Sequence, residues 1–177
     1  MGLLKKLRER RPPVPEAAAR HLERDERALA WAQATTGQIV VPTSRGLHVV
    51  GEDGHRLIGW HTISKGVWRD RVLSVTESEQ IDDHEIVDRG AWSLAFDEPG
   101  NVPVVLRERV ERSIMTTRYH RLSNGAVWLI GRKVPGRDGL VWQYRAERGL
   151  DTADPVNRAE ILEALRIEEE ASRPIDL

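Results

Sequence analysis

Gly46-Leu47-His48-Val49-Val50-Gly51-Glu52-Asp53-Gly54-His55-Arg56-Leu57-Ile58-Gly59-Trp60 decides the fold. Two short apolar runs, residues 46–50 and 55–60, flank the polar quartet Gly51-Glu52-Asp53-Gly54, and glycine-bounded polar residues between such runs close a hairpin. His48 alternates with Leu47 and Val49, so it is expected on the outward face of that hairpin.

Toward the N-terminus, Ala28-Leu29-Ala30-Trp31 and Ile39-Val40-Val41, separated by Thr35-Thr36-Gly37-Gln38, read as a preceding hairpin. Before it, residues 16–27 carry Ala17, Ala18, Ala19 and Leu22 behind Pro15, a short helix opened by a proline at its first position. Segment 2–11 places Leu3, Leu4 and Leu7 among cations and stops at Pro12, Pro13 and Pro15, a basic amphipathic arm.

Toward the C-terminus, Arg71-Val72-Leu73-Ser74-Val75-Thr76 alternates polar and apolar and is the clearest strand. Residues 76–88 are acidic and poor in apolar side chains, which predicts a loop. Ala91 to Phe96 resumes the strand pattern before the turn Glu98-Pro99-Gly100-Asn101. The mixed spacing of Val104, Val105, Leu106, Val110 and Ile114 predicts a helix over 103–115 leading into a strand near Met115 to Leu122. Asn124-Gly125 then turns the chain into two strands, 126–132 and 140–146, around Pro135-Gly136-Arg137-Asp138-Gly139. Asp154 and Pro155 supply the cap and first residue of a final helix through Ile161, Leu162 and Leu165. Glu168, Glu169 and Glu170 oppose the dipole near its end, so fraying or an external basic partner is expected there.

The elements together predict an α+β chain, mainly β: a bent antiparallel sheet or partly open barrel with a C-terminal helix. Residues 1–15 are the basic arm and Pro-rich linker, 16–171 one β-rich globular domain, and 172–177 a tail. The 177 residues, with 40% apolar and 31% charged, exclude global disorder. Absence of cysteine removes disulfides, thiol nucleophiles and Cys-held metals. Residues 1–15 carry a net charge of +4, residues 151–177 carry −5, and the body between them is neutral. A dedicated nucleic-acid binder would place a positive excess on its folded surface. No run of eighteen apolar residues exists. The opening apolar run ends at Lys5, too short for a secretory signal, and Lys6 breaks the myristoylation pattern after Gly2, so a cytoplasmic location is expected.

Few motifs carry chemistry. Asp82-Asp83-His84-Glu85 with Asp88 offers hard oxygen ligands and one imidazole, yet has neither a second metal-spaced histidine nor an EF-hand pattern. A solvated acidic loop is the simpler reading, and no metal or cofactor is expected. His21, His48, His55, His61, His84 and His120 each stand alone in sequence, without a nucleophile elbow or phosphate cradle nearby. The six tryptophans read first as core. Trp68, within Lys65-Gly66-Val67-Trp68-Arg69-Asp70, is the best candidate for an exposed indole because polar residues surround it. Arg132, Lys133 and Arg137 flank the last hairpin turn and read as solvated charges.

Residues 38–50, Gln38-Ile39-Val40-Val41-Pro42-Thr43-Ser44-Arg45-Gly46-Leu47-His48-Val49-Val50, followed by His55 to Ile63, resemble the opening of bacterial pleckstrin-homology-like domains. The arginine-rich style is also similar to that of actinobacterial proteins. The resemblance covers about a quarter of the chain and implies a strongly bent sheet closed by a C-terminal helix. It also implies binding of peptides, proteins or, in some members, lipid headgroups. The expectation is therefore a non-enzymatic binding or scaffolding module, with a protein partner first and an anionic inner-membrane surface second. Its contacts would be Leu3, Leu4, Lys5, Lys6, Leu7 and Arg8 on the arm, with Trp68 and Arg69 on the body. Two alternatives stand beside it: an enzyme with a dispersed His/carboxylate site near His84, and a nucleic-acid accessory protein.

Overall fold

A computed structural model describes residues 13–173 of the chain. Strand residues outnumber helical ones, 42% to 22%, and the class is α+β, mainly β. The strands form three antiparallel sheets, and none closes into a barrel.

The first sheet contains β1 (Ala32–Gln33), β2 (Ile39–Pro42), β3 (Gly46–Gly51) and β4 (Gly54–Gly59) in that order. Val50 pairs with His55 and Gly51 with Gly54, so the hairpin closes where the glycines predict. The strand expected at 28–31 begins later, at Ala32, leaving Ala28 as a single bridge to Thr43. The helix expected over 16–27 shrinks to α1 (Glu16–Ala19), which has no side-chain cap at Pro15.

The second sheet holds β5 (Ile63–Arg69), β6 (Val72–Gln80), β7 (Ile86–Asp88) and β8 (Trp92–Ala95). A 3-10 turn, Trp60–Thr62, joins it to the first. Asp70 and Arg71 turn β5 into β6 with φ of 50° and 65°, the left-handed pair a two-residue hairpin requires. The acidic stretch after Thr76 is not a loop throughout: β6 carries Glu77 and Glu79 onward to Gln80, and β7 pairs back upon it.

Helix α2 (Val102–Ser113) runs directly into β9 (Ile114–Leu122), followed by β10 (Gly125–Arg132) and β11 (Val141–Ala146) in a third sheet ordered β11-β10-β9. Helix α3 (Pro155–Ala171) closes the described chain. Asp154 caps it, accepting the N–H groups of Val156 and Asn157 at 3.0 Å. Its acidic end remains helical through Glu170 because Arg166 reaches both Glu163 and Glu170 at 2.7 Å, an internal partner in place of the external one expected.

Burial follows the alternation. Val40, Leu47 and Ile58 on one face of the first sheet meet Ile63, Leu73, Val75, Phe96 and the α2 residues Val102, Leu106 and Val110. Each such side chain contributes about 1.5–3 kcal/mol on burial. This packing holds α2, whose valines are weak helix formers and whose Asn101 makes no side-chain cap. Val127, Leu129, Trp142 and Tyr144 pack beneath Ile161, Ala164 and Leu165 of α3. A third cluster matters most for function. Val41 and Val50, on the opposite face of the first sheet, are covered by Ala18 with Val14, Ala28 and Trp31, so residues 14–31 roof that face.

Candidate functional site

The roof overturns one expectation. Alternation does place His48 opposite Leu47 and Val49, but the face it occupies is closed, and His48 is 1% exposed. Beneath the roof its Nε2 lies 2.8 Å from Oε1 of Glu26, and its Nδ1 lies 2.8 Å from Nε2 of His55. A carboxylate can only accept, so His48 donates from Nε2. In a neutral His48 ring the Nδ1 then accepts the N–H of His55. His55 in turn stacks on His21, with ring centroids 4.1 Å apart. Three histidines scattered over residues 21–55 thus form one ladder with a buried carboxylate at its foot, and they do not stand alone.

Glu26 is held by more than His48. Thr43 Oγ1 donates to Oε1, and the Glu23 N–H donates to Oε2 at 3.1 Å. Burial alone would raise its carboxyl, but these hydrogen bonds outweigh it and keep the group below its ordinary value. His55 moves down as well, through burial first and then the neighbouring imidazoles of His21 and His48. The hydrogen bonds of the ladder lead from a side chain with no exposure, Glu26, through His48 to the partly exposed His55, on which His21 stacks.

The acidic run is neither a metal cluster nor a solvated loop. Asp82 pairs with Arg158 at 2.6 Å, and this contact lowers its carboxyl. His84 donates from Nδ1 to the Trp142 carbonyl at 3.0 Å. Glu85, 8% exposed, accepts the Tyr144 hydroxyl at 3.0 Å and the Thr152 hydroxyl at 2.9 Å. Burial followed by the Glu85 contact pushes the Tyr144 phenol up. Asp88 takes Arg145 at 2.8 Å and the Ser64 hydroxyl. Asp82, Glu85 and Asp88, three residues apart, therefore reach across to the third sheet and α3, and a parallel bridge, Glu85 to Tyr144, joins the backbones. Among the described residues no group of three or more His, Cys, Asp or Glu side chains could hold a metal ion.

Arg132 also departs from expectation. It is 2% exposed, donating to the Ser113 hydroxyl at 2.8 Å and to the Ile63 carbonyl at 3.3 Å, with Trp60 O at 3.5 Å. Burial brings its guanidinium down to about 10. Nothing in a hairpin-flanking arginine reveals this. The carbonyls it reaches lie about seventy residues away, at Trp60 and Ile63.

The expected contacts divide. Leu3, Leu4, Lys5, Lys6, Leu7 and Arg8 lie outside the described residues. Trp68 is 38% exposed at the end of β5, its ring tilted over Phe96 with centroids 6.2 Å apart, and Arg69 beside it points into solvent. Trp60 and Trp142 are buried as core, whereas Trp128, expected inside, is exposed and tilts against Tyr119 across the β9–β10 pair.

The latter pair marks an open surface. Strand β9 is nine residues long, pairs with β10 on one side, and meets no other strand among the described residues. Met115 and Tyr119 are exposed along it, and Arg118 and Arg121 make no ion pair among the described residues. Beside its second half a groove of about 700 Å³ separates it from α3, lined by His120, Leu122, Glu160, Ala164 and Ile167. No helix of the described residues is long and apolar enough to cross a membrane. No family model, curated protein or solved structure matches the chain.

Proposed function

We propose that this chain is a non-enzymatic binding module that takes an extended, acidic segment of a protein partner along β9. The observation that carries the reading is the edge itself: a nine-residue strand with one side unpaired among the described residues and a groove beside it. A strand edge presents a row of main-chain donors and acceptors, and a peptide added there gains affinity from backbone hydrogen bonds. Alternate side chains of that peptide would enter the groove over Ala164 and Ile167. Specificity follows from charge, because Arg118 and Arg121 make no ion pair among the described residues, while Glu160 is bonded to Ser123 and Glu163 is occupied by Arg166.

The test uses the full chain and an acetylated probe peptide of alternating glutamate and valine. Binding is expected to protect β9 amides from hydrogen exchange and to weaken with salt. Arg118→Glu combined with Arg121→Glu should abolish it without changing the thermal midpoint. Protection confined to another element, or equal binding by a lysine–valine peptide, would overturn the reading.

A further inference from the structure

The register of β9 against β10 fixes what a strand added to the open edge of β9 meets. It runs unbroken from Leu122, opposite Gly125, to Thr116, opposite Gly131. Arg132 then faces Ile114, so Met115 is an extra residue, and a bulge of that kind ends regular pairing. The usable edge is therefore the seven residues 116–122. The two-residue loop Ser123-Asn124 is flanked by a hydrogen-bonded pair, and such pairs recur at every second residue. Leu122, His120, Arg118 and Thr116 thus spend their main-chain groups on β10. Those of Arg121, Tyr119 and Thr117 point outward, and none of the three makes another main-chain bond among the described residues.

The two faces of that edge differ. Tyr119 pairs with Trp128, their ring centroids 4.9 Å apart, whereas Val127 and Leu129 on either side of Trp128 pack toward α3. Tyr119 and Arg121 therefore share the face away from α3, and Arg118 and His120 the face toward it. The two arginines stand three positions apart on opposite faces. Between them lie two places that do not suit an anion. At His120 the groove toward α3 is walled by Leu122, Ala164 and Ile167, with the carboxylates of Glu160 and Glu163 beside them. At Tyr119 the hydroxyl donates to Glu147, and the exposed ring lies against an indole.

Resting on the reading of β9 as a peptide-binding edge, we propose that its partner is an antiparallel segment in the order acid, aliphatic, aromatic, acid. Antiparallel addition is the more stable arrangement per residue, and residues directly opposite one another share a face. The first acid then faces Arg121. The aliphatic residue faces His120 and enters the groove, the aromatic ring extends the row of Tyr119 and Trp128, and the second acid faces Arg118. Opposite charges and neighbouring aromatic rings placed in this way both favour cross-strand pairing. A strand of strictly alternating acids points all its carboxylates to one face and reaches only one of the two arginines at a time.

Capped hexapeptides of identical composition, each ending in threonine on both sides, are titrated into the full chain while its amide resonances are followed by NMR. The central four residues are glutamate-valine-tryptophan-glutamate, its reverse, or glutamate-valine-glutamate-tryptophan, whose acids share a face. The first is expected to bind about fivefold more tightly than either of the others and to shield the amides of Thr117, Tyr119 and Arg121 from exchange. Arg118→Gln and Arg121→Gln should each weaken it about threefold to fivefold, the loss of one cross-strand ion pair, with the thermal midpoint unchanged. Equal binding of the three peptides with β9 shielded, or undiminished binding by either variant, overturns the motif and leaves the edge reading standing. Shielding of β9 by none of them, nor by the alternating glutamate and valine peptide, overturns both.

Discussion

His48 and Glu26 meet at 2.8 Å with side-chain exposures of 1% and 0%, a pair formed between the roof segment and the strand it covers. Removing the carboxylate leaves His48 and a backbone N–H without their acceptor and the Thr43 hydroxyl with only the Gly46 carbonyl. Glu26→Ala should therefore destabilise the chain by about 2–4 kcal/mol in urea unfolding. Glu26→Gln, whose amide oxygen still accepts, should cost about half of that. An Ala variant as stable as wild type would show that the pair contributes nothing to holding the roof.

Stability should decline as pH falls from about 7 to about 5. The folded chain holds the imidazoles of His55 and His61 below their ordinary values, both chiefly through burial. The unfolded chain therefore takes up protons first. Their stabilising contribution is complete above the unfolded histidine value and shrinks beneath it. Glu26, also lowered, adds its own loss only at more acid pH, where its folded carboxyl protonates. Urea midpoints measured across the range check this, and a combined His55→Asn and His61→Asn chain should show a flatter profile.

Gly46 is buried in β3, and a Cβ on it would stand 2.5 Å from the Ile58 carbonyl oxygen of the neighbouring strand. Backbone cannot swing aside as a side-chain tip can. Gly46→Ala should cost about 2–3 kcal/mol, read as a lowered thermal midpoint.

Arg132→Met should cost about 1–2 kcal/mol, because the carbonyls of Trp60 and Ile63 lose a donor while the removal of a buried cation offsets part of the loss. The same substitution removes one of the two cations that depress His61, so an NMR titration should find that imidazole moved upward.

The turn at Asp70 and Arg71 holds two side-chain-bearing residues in the left-handed region. Replacing them with Asn and Gly should raise stability by about 1 kcal/mol, since that pair suits the turn. An unchanged unfolding midpoint would mean that other contacts already compensate.

Local signals in the sequence were good guides to local structure. The glycine-bounded quartet at 51–54, Asn124-Gly125 and the Asp154-Pro155 cap each specify their geometry within a few residues, and each forms where read. The helix-to-strand change near Ser113 is also legible from its mixed spacing. What periodicity cannot report is which face another segment will cover. His48 alternates as an outward residue should, and only the docking of residues 14–31 buries it. The acidic run fails for a similar reason. Its partners, Arg158, Tyr144, Thr152 and Arg145, lie 57–76 residues distant and leave no local trace. Trp128 shows the converse: a residue type expected inside is exposed because α3 packs on the opposite face, against Val127 and Leu129, and no helix of the described residues covers its own.

The roof over the first sheet also sets an order of events during synthesis. Residues 14–31 emerge from the ribosome before the hairpin at 46–59 has been made, so Glu26 waits unpaired until His48 follows it out of the exit tunnel. A pause in translation between those two points would prolong the life of an uncovered N-terminal segment, and a chaperone would find its apolar residues there.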